Sequence, residues 1–319
     1  MISIIIPAYQ SAHTIRTTLE SVRNQTFRDY ELLITDDGSS DNTLEICRQY
    51  AREHSEMNIS VSSIAHAGVA AARNHAIARA SGEFVAFLDA DDRWMPEKLE
   101  RVAALISIDP QADLIYHDVM MITSSGQSWK EISGPPPPDA YRRLLLQNNF
   151  LATTSVMVRR SCLAATGGFD CNPNFEICED YELWVRLARS GARFAYIPEI
   201  LAEIARADGS LSSNTIRHMT NQLNVRRYCL QRACDDGILS TTELNRYRNR
   251  IAARCQAKIA VAQAKQRHLL PTIQAAAASA GAFVQIMLRG DWEMLDQSMR
   301  EVLRHLKRRN TWQPPGGHD

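Results

Sequence analysis

The chain has 319 residues, of which 45% are apolar and 23% charged, and this balance is ordinary for a soluble globular protein. Lys and Arg together number 36, as do Asp and Glu, so no net charge indicates a nucleic-acid partner and we expect none. No stretch has the roughly 20 apolar residues of a membrane-spanning helix. The seven cysteines form no Cys-x-x-Cys pair. With no leader expected before Ile2, they predict reduced thiols and a cytoplasmic location.

The first 88 residues predict strands that alternate with helices. Short apolar runs rich in β-branched residues predict the strands, and apolar residues spaced three or four apart predict the helices. In chain order we expect a strand at 2–6 ending at Pro7, a helix marked by Ile15, Leu19 and Val22, a strand at 30–35, a helix through Leu44 and Tyr50, a strand at 59–64, an alanine-rich helix at 68–80 and a strand at 84–88. This alternation predicts an α/β fold with a mostly parallel sheet.

The rest of the chain divides into a mixed part and a helical part. Up to residue 215 we expect a helix ending at Ile108, strands at 114–117, 153–158 and 194–197, an exposed loop with prolines at 135–138 and a helix at 179–191. From about Ile216 the pattern is helical throughout. We therefore predict an α/β domain at 1–215, a helical C-terminal domain at 216–310 and a disordered tail at 311–319.

Pro7 and two groups of acidic residues follow three of the predicted parallel strands. Pro7, the pair Asp36-Asp37 and the acidic stretch 89–92 each come directly after a strand. Ligands of open α/β sheets bind beyond the carboxyl ends of the strands, so we expect these residues to converge on one site.

The acidic stretch places Asp89, Asp91 and Asp92 at the end of an apolar strand. Carboxylates this close repel one another unless a divalent cation or a polar ligand lies among them. A solvated turn that caps the helix starting near Pro96 explains the same residues. Both interpretations stay open when this stretch is taken alone.

Six segments follow one another in an order that resembles a known family. They are PAY at 7–9, TDDGSSDNT at 35–43, GVAAARN at 68–74, LDADD at 88–92, GGFD at 167–170 and EDYELW at 179–184. Together they resemble family 2 of the inverting glycosyltransferases, which have the GT-A fold, a Rossmann-like sheet flanked by helices. The resemblance covers about residues 1–215.

This resemblance implies a metal-dependent, inverting hexosyl- or N-acetylhexosaminyltransferase that uses Mg²⁺ or Mn²⁺. Such an enzyme moves one sugar from a nucleotide diphosphate donor, here expected to be a UDP-sugar, to a glycan or lipid-linked acceptor in cell-surface polysaccharide synthesis. Processive synthases of the family carry a Gln-x-x-Arg-Trp motif, which the segment from Gln222 to Tyr228 does not match. We therefore expect single-sugar transfer.

The resemblance also assigns residues to the donor side. Asp37 would read the uracil, with Pro7 and Tyr9 flanking the base, and Arg73 would lie near the nucleotide. An Asx-turn or helix cap is the structural alternative for Asp37, and a surface salt bridge is the alternative for Arg73.

The acidic stretch receives separate roles from the same resemblance. Asp91 would bind the metal, and Asp89 would contact the ribose or the metal, while Asp92 is expected to be structural, capping or solvated. Hard cations prefer such oxygen ligands, and a cation here would neutralise charge on the departing diphosphate.

Asp180 is the candidate catalytic base, because inversion by direct displacement needs a carboxylate to accept the proton of the acceptor hydroxyl. Glu179, Trp184 and Gly168 are expected on the acceptor side, with Trp184 forming a wall of the pocket. The alternatives are that the two acids stabilise a helix N-terminus and that Gly167-Gly168 is an ordinary turn.

Two features leave further alternatives open. Many relatives carry an Arg-x-His pair where this chain has Ala205 and Ala207, and Arg206 could substitute in a shifted register. This departure motivates a second hypothesis, a catalytically silent nucleotide-sugar-binding or scaffold protein of the same fold. The basic segment 300–309 is consistent either with a solvated helix end or with peripheral association at the inner face of a membrane.

Overall fold

The computed structural model describes residues 1–147, 149–206 and 215–265. The strands in these ranges are β1 (Ile2–Ala8), β2 (Tyr30–Asp36), β3 (Ile59–Ser63), β4 (Phe84–Phe87), β5 (Arg93–Trp94), β6 (Leu114–Thr123), β7 (Ser128–Glu131), β8 (Met157–Arg159) and β9 (Phe194–Arg206). The helices are α1 (Ile15–Arg23), α2 (Thr43–Glu53), α3 (Val69–Ile77), α4 (Lys98–Ile108), α5 (Ala140–Leu146), α6 (Arg160–Thr166), α7 (Glu179–Arg189), α8 (Thr215–Asp235) and α9 (Thr241–Lys265). Short 3₁₀ turns lie at Thr153–Ser155 and Pro173–Phe175.

All nine strands of the described residues belong to one sheet, in the order β3-β2-β1-β4-β8-β6-β9-β5, with β7 paired to β6. The pairs β3-β2, β2-β1 and β1-β4 are parallel, as the alternation of strands and helices predicts. Beyond β4 the sheet is mixed, because β8 is antiparallel to both β4 and β6. Since β1, β2 and β4 are parallel neighbours, the residues that follow them lie at one edge of the sheet.

Strand β9 is longer than the sequence predicts, because the chain passes Pro198 without leaving the sheet. His117 of β6 pairs with Ile197, and the next residue of β6, Asp118, pairs with Ile200. The two residues between them form a bulge, where the missing N–H of Pro198 costs no ladder hydrogen bond. The strand therefore continues to Arg206.

The predicted strand at 153–158 is replaced by two elements. Its first half forms the 3₁₀ turn Thr153–Ser155, and only Met157–Arg159 pairs with neighbouring strands. Strands β5 and β7 have no counterpart in the prediction. β5 has two residues and β7 is exposed along its whole length, so neither shows an apolar pattern.

Apolar side chains cover both faces of the sheet and form two cores. In one core Ile15, Leu19 and Val22 of α1 pack against sheet residues that include Ile4 and Leu32. These three residues are spaced at helical intervals, so α1 turns one apolar face to the sheet, as predicted.

The helices after residue 215 extend the second core. Val225 and Leu230 of α8 and Ile251 of α9 are buried in the same cluster as Leu183 of α7 and Val85 of β4. The domain boundary at 215 stays a prediction. The segment 300–309 and the tail 311–319 lie outside the described residues.

Among the helices that the structure describes, none has both the length and the apolar character that crossing a membrane requires.

A buried carboxylate of β2 fixes the entry to β4. Oε1 of Glu31 accepts hydrogen bonds from Ser3 Oγ at 2.6 Å, from Ser81 N at 2.7 Å and from Ser81 Oγ at 2.8 Å. Glu31 itself is 7% exposed. The donors therefore depend on this one oxygen, because water cannot easily replace it.

We expect Glu31→Ala to lower the free energy of unfolding at pH 7 by about 2 kcal/mol or more, because buried donors lose their acceptor. Burial opposes ionisation of Glu31, but hydrogen bonds from Ser3 and Ser81 outweigh it and lower its pKa. The stabilisation is therefore present above the ordinary Glu pKa of about 4.3 and is lost as the pH falls through the lower value of the folded state. Urea denaturation of the wild type and of Glu31→Ala measures the difference in free energy of unfolding, which should be smaller at pH 3 than at pH 7.

The exposed Glu131 provides the matched control. Glu131→Ala should change the free energy of unfolding by no more than about 0.5 kcal/mol at either pH. Equal effects of the two substitutions would contradict the role of Glu31.

Candidate active site

Asp37 follows β2 and holds the loop that precedes α3. Its Oδ1 accepts a hydrogen bond from Ala67 N at 2.8 Å, and its Oδ2 accepts one from Gly68 N at 2.9 Å. His66 Nδ1 lies 2.8 Å from the same Oδ2. The carboxylate therefore bonds the two residues just before α3 and forms neither the Asx-turn nor the helix cap of the structural alternative.

Tyr9 presents an aromatic face at this edge of the sheet. Its ring is 45% exposed and stacks on the ring of His66 with centroids 4.3 Å apart and planes 18° apart. Pro7 is buried inside β1, where it pairs with Thr35 of β2, so its ring does not line an open surface. Of the two residues expected to flank a base, Tyr9 alone offers an exposed ring.

His66 is a residue of this site that the sequence analysis missed. It lies just beyond β3, at the edge where Asp37 follows β2, and it contacts both Tyr9 and Asp37. Its position at the carboxyl end of a predicted parallel strand was the available signal.

Arg73 of α3 connects the acidic stretch to the start of α7. One guanidinium nitrogen donates to Asp89 Oδ1 at 2.7 Å and another donates to Glu179 Oε1 at 2.6 Å. The guanidinium also lies 5.1 Å from the ring centroid of Phe169. Burial would lower the pKa of Arg73, but Asp89 and Glu179 raise it, so the group stays charged.

Burial of Arg73 rules out the surface salt bridge that was its alternative interpretation. At 3% exposure its side chain faces Asp89 and Glu179 rather than open solvent. Glu179 is likewise buried. Burial and the charge of Asp180 raise the pKa of Glu179 to about 7, while Arg73 acts in the opposite direction. Arg73 and Glu179 therefore form a buried ion pair that links α3 to the first turn of α7.

Asp91 is the exposed carboxylate of the acidic stretch. It lines a cavity of about 140 Å³ together with Arg93, Glu203 and Arg206. Desolvation by the surrounding protein and repulsion from Asp89 raise the pKa of Asp91 to about 6, even though the residue reaches the surface. A nearby positive charge would favour its ionised form.

Asp92 has the structural role expected of it, but it is neither solvated nor a helix cap. Its side chain is buried, its Oδ1 accepts a hydrogen bond from Ala205 N at 3.0 Å, and its Oδ2 accepts one from Thr154 Oγ1. Burial, then Asp89 and Asp91, raise its pKa well above the ordinary value. Asp92 thus ties the acidic stretch to β9.

The departure from the Arg-x-His pattern falls at the end of β9. Ala205 donates its backbone N–H to Asp92, whereas Arg206 lines the cavity with Asp91 and lies 5.9 Å from the ring centroid of Trp129. Arg206 therefore lines the same cavity as Asp91, and its substitution for the missing pair in a shifted register stays a prediction. Ala207 lies outside the described residues.

Asp180 lies in the first turn of α7, next to the buried Glu179. Its Oδ1 accepts a hydrogen bond from Tyr181 N at 2.6 Å, and its Oδ2 accepts one from Thr153 Oγ1 at 2.7 Å. Burial raises the pKa of Asp180, while Thr153 and Arg73 oppose that shift. A half-buried carboxylate with a raised pKa suits proton transfer.

The expected acceptor-side role of Trp184 is wrong. Trp184 is fully buried and packs against Phe87 and Phe169, with ring centroids 5.9 and 6.3 Å away. Its ring supports α7 from the core and cannot form a wall of an open pocket.

Gly168 is needed for packing. With φ at +74°, it adopts a backbone conformation that favours glycine, and an added Cβ would lie 2.5 Å from Asn74 Oδ1. That oxygen accepts a hydrogen bond from Phe169 N at 2.8 Å. The contact with Asn74 explains the glycine without any ligand.

The oxygen atoms of Asp89 and Asp91 match the preference of Mg²⁺ and Mn²⁺ for hard ligands. Within the described ranges, no group of three or more His, Cys, Asp or Glu residues could hold a metal ion. A cation beside Asp91 would therefore need further oxygen ligands from a bound diphosphate or from water.

Comparison with known proteins identifies the family. The Glycosyl transferase family 2 model matches residues 3–167. WfgD of Escherichia coli, named a UDP-Glc:alpha-D-GlcNAc-diphosphoundecaprenol beta-1,3-glucosyltransferase, is 32% identical over 230 residues, which are 70% of this chain and 85% of WfgD. The amylovoran biosynthesis glycosyltransferase AmsB of Erwinia amylovora is 30% identical over 209 residues, or 63% of this chain and 68% of AmsB.

Solved structures show the same fold. TarS of S. aureus in complex with UDP has a TM-score of 0.60 at 20% identity, covering 89% of this chain and 80% of that one. Mannosyltransferase PcManGT of Pyrobaculum calidifontis, in complex with GDP-Man and Mn²⁺, has a TM-score of 0.60 at 20% identity, covering 98% and 87%. The chain belongs to glycosyltransferase family 2 and is a glycosyltransferase with the GT-A fold.

Proposed function

We propose that this chain is a metal-dependent, inverting glycosyltransferase that moves one hexosyl or N-acetylhexosaminyl unit from a UDP-sugar to a glycan or lipid-linked acceptor. The observation that carries the proposal is the link between Asp180 and the acidic stretch. Arg73 holds Asp89 on one side and Glu179 on the other, and Glu179 precedes Asp180. A candidate base and a candidate diphosphate site thereby share one rigid support.

Asp180 is the proposed base. Its carboxylate accepts the proton of the acceptor hydroxyl while that oxygen attacks the anomeric carbon and the bond to the diphosphate breaks. The raised pKa of Asp180 makes it a better proton acceptor than an exposed aspartate, and Arg73 favours its ionised form. Mg²⁺ or Mn²⁺ held by Asp91, with Asp89 beside it, would supply positive charge for the departing diphosphate.

The nucleotide base is proposed to bind between Tyr9 and Asp37. The two carboxylate oxygens of Asp37 offer about four acceptor positions, of which the contacts with Ala67, Gly68 and His66 use three. The remaining position, on Oδ1, is the one proposed for the ring N–H of uracil, which would have to reach a carboxylate that is 2% exposed. The exposed ring of Tyr9 provides an adjacent stacking surface.

The relatives support the acceptor class. WfgD is named for transfer to a sugar on diphosphoundecaprenol, and AmsB is named for amylovoran biosynthesis. We therefore propose a role in cell-surface polysaccharide synthesis with a diphosphate-lipid-linked sugar as acceptor. The corresponding location is the cytoplasm, at the inner face of the membrane where such an acceptor is reached. The basic segment 300–309 is the proposed membrane contact.

The replacement of the Arg-x-His pair by Ala205 and Ala207 favours a second candidate function, a silent nucleotide-sugar-binding or scaffold protein. A thermal-shift panel of UDP-glucose, UDP-GlcNAc and GDP-mannose, with and without Mn²⁺, tests donor binding. We expect a UDP-sugar to raise Tm, and Mn²⁺ to increase the shift. A larger shift with GDP-mannose would contradict the uracil assignment.

Asp180→Asn should lower kcat about 10²–10⁴-fold, because the amide cannot accept the proton. The change keeps the shape of the side chain, so the Tm shift produced by the UDP-sugar should be unchanged. Release of UDP in the presence of a lipid-diphosphate-linked GlcNAc acceptor measures turnover. Normal turnover of the variant would make the base assignment wrong, and no turnover by the wild type with any donor of the panel would favour the silent protein.

Asp91→Ala should weaken the Mn²⁺-dependent part of UDP binding by about tenfold or more, because the metal loses a protein ligand. Isothermal titration of UDP with and without Mn²⁺ separates this part from metal-free binding, which should stay the same. The exposed Asp29, which pairs with the N-terminus, provides the control Asp29→Ala. If Mn²⁺ changed the affinity for UDP equally in the wild type and in Asp91→Ala, Asp91 would not be the metal ligand.

A further inference from the structure

The 3₁₀ turn Thr153–Ser155 lies between the candidate base and the acidic stretch. The hydroxyl of Thr153 donates to Asp180 Oδ2 at 2.7 Å, across 27 residues of sequence. The next residue, Thr154, donates its hydroxyl to the buried carboxylate of Asp92. Two successive side chains therefore bind two different parts of the site.

The turn is held in place by buried donors that converge on one carbonyl. Lys98 Nζ donates to the backbone oxygen of Thr154 at 2.6 Å, and Trp94 Nε1 donates to the same oxygen at 3.0 Å. Lys98 is fully buried, and its Nζ lies 3.9 Å from the Trp94 ring centroid. A backbone fixed at this oxygen leaves the preceding residue, Thr153, little freedom to move.

The hydrogen bond from Thr153 determines how Asp180 presents its carboxylate. Tyr181 N occupies one lone pair of Oδ1, and Thr153 Oγ1 occupies one lone pair of Oδ2. With one donor on each oxygen, rotation about the carboxylate bond is restrained and one lone pair on each oxygen remains for an acceptor hydroxyl.

We propose that Thr153 is a positioning residue, which orients the Asp180 carboxylate toward the acceptor hydroxyl. The proposal rests on the function proposed for Asp180 as the base. Thr153 acts through Asp180 and contacts no reacting atom, so its effect belongs to kcat rather than to donor binding.

Charge provides a second consequence of the same contact. The groups that face Asp180 are Arg73, which favours its ionised form, and Asp89 and Glu179, which oppose it. Burial raises the pKa of Asp180, and the hydrogen bond from Thr153 lowers it again. Loss of the hydroxyl should therefore raise the pKa and move the acidic limb of the kcat/KM profile to higher pH.

Thr153→Val tests the proposal because it removes the hydroxyl and keeps the shape of the side chain. We expect kcat to fall about tenfold, since the lost contact is a hydrogen bond to a charged group, with KM for the UDP-sugar unchanged. Thr153→Ser restores a hydroxyl and should recover most of kcat and the original acidic limb. Turnover is followed as UDP release from UDP-glucose or UDP-GlcNAc with the lipid-diphosphate-linked GlcNAc acceptor.

Ser155→Ala is the matched control in the same turn, because the Ser155 hydroxyl bonds the carbonyl of Ala152 within the turn. It should leave kcat and the pH profile at wild-type values. A loss of kcat equal to that of Thr153→Val, or a failure of Thr153→Ser to restore activity, would overturn the proposal, since the effect would then come from the turn itself.

Asp180→Asn distinguishes failure of this proposal from failure of the proposed function. Inactive Asp180→Asn with unchanged kcat in Thr153→Val keeps the base and rejects the positioning role. Active Asp180→Asn rejects both. In the double variant, Thr153→Val should add no further loss to Asp180→Asn, because the two groups act as one unit.

Discussion

The buried guanidinium of Arg73 is the interaction on which the rest of the site depends. It joins three elements that are distant in sequence, namely α3, the stretch after β4 and the first turn of α7. A lone buried arginine would carry a large desolvation cost, which Asp89 and Glu179 offset with short, charge-assisted hydrogen bonds. Removing Arg73 would leave two carboxylates without a counter-charge, and removing either carboxylate would leave a guanidinium N–H group without its acceptor, so the three have to be considered together.

Around this centre, each acidic residue acquires its properties from what surrounds it. Asp92 is enclosed and bonded, Asp89 is ion-paired, and Asp91 alone faces the cavity. Three carboxylates within four positions of one stretch therefore serve three different purposes. These roles differ because Thr154 of the 3₁₀ turn and Ala205 of β9 both donate hydrogen bonds to Asp92 and hold its carboxylate inside the protein.

Much of this arrangement could be predicted from the sequence, because local patterns determine it. The positions of β1, β2 and β4 follow from short apolar runs, and their parallel pairing places Asp37 and Asp91 at the same edge. Trp184 was assigned to a pocket because spacing along α7 places it near Asp180, and spacing does not show which face of a helix is covered. The role of Arg73 was only partly predicted, since its ion pair with Glu179 spans 106 residues.

The role of a residue that depends on a partner distant in sequence could not be predicted from the sequence. Thr153 belongs to a stretch with strand-like composition, and its hydroxyl matters because the fold brings Asp180 to it. Proline lacks the N–H of a strand ladder, so Pro198 predicts the end of a strand. The bulge through which β9 continues to Arg206 could not be inferred from the neighbouring residues. In both cases tertiary contacts override what local sequence predicts.

The packing of α8 has a consequence for how such enzymes can be recombined. Val225 and Leu230 share a core with Leu183 of α7, and Asn221 of α8 donates a hydrogen bond to the carbonyl of Glu176 at 2.7 Å, just before α7 begins. The helix that presents Asp180 is therefore covered by the chain beyond residue 215. The C-terminal helices cannot be exchanged between relatives as an independent module unless the outer surface of α7 is exchanged with them.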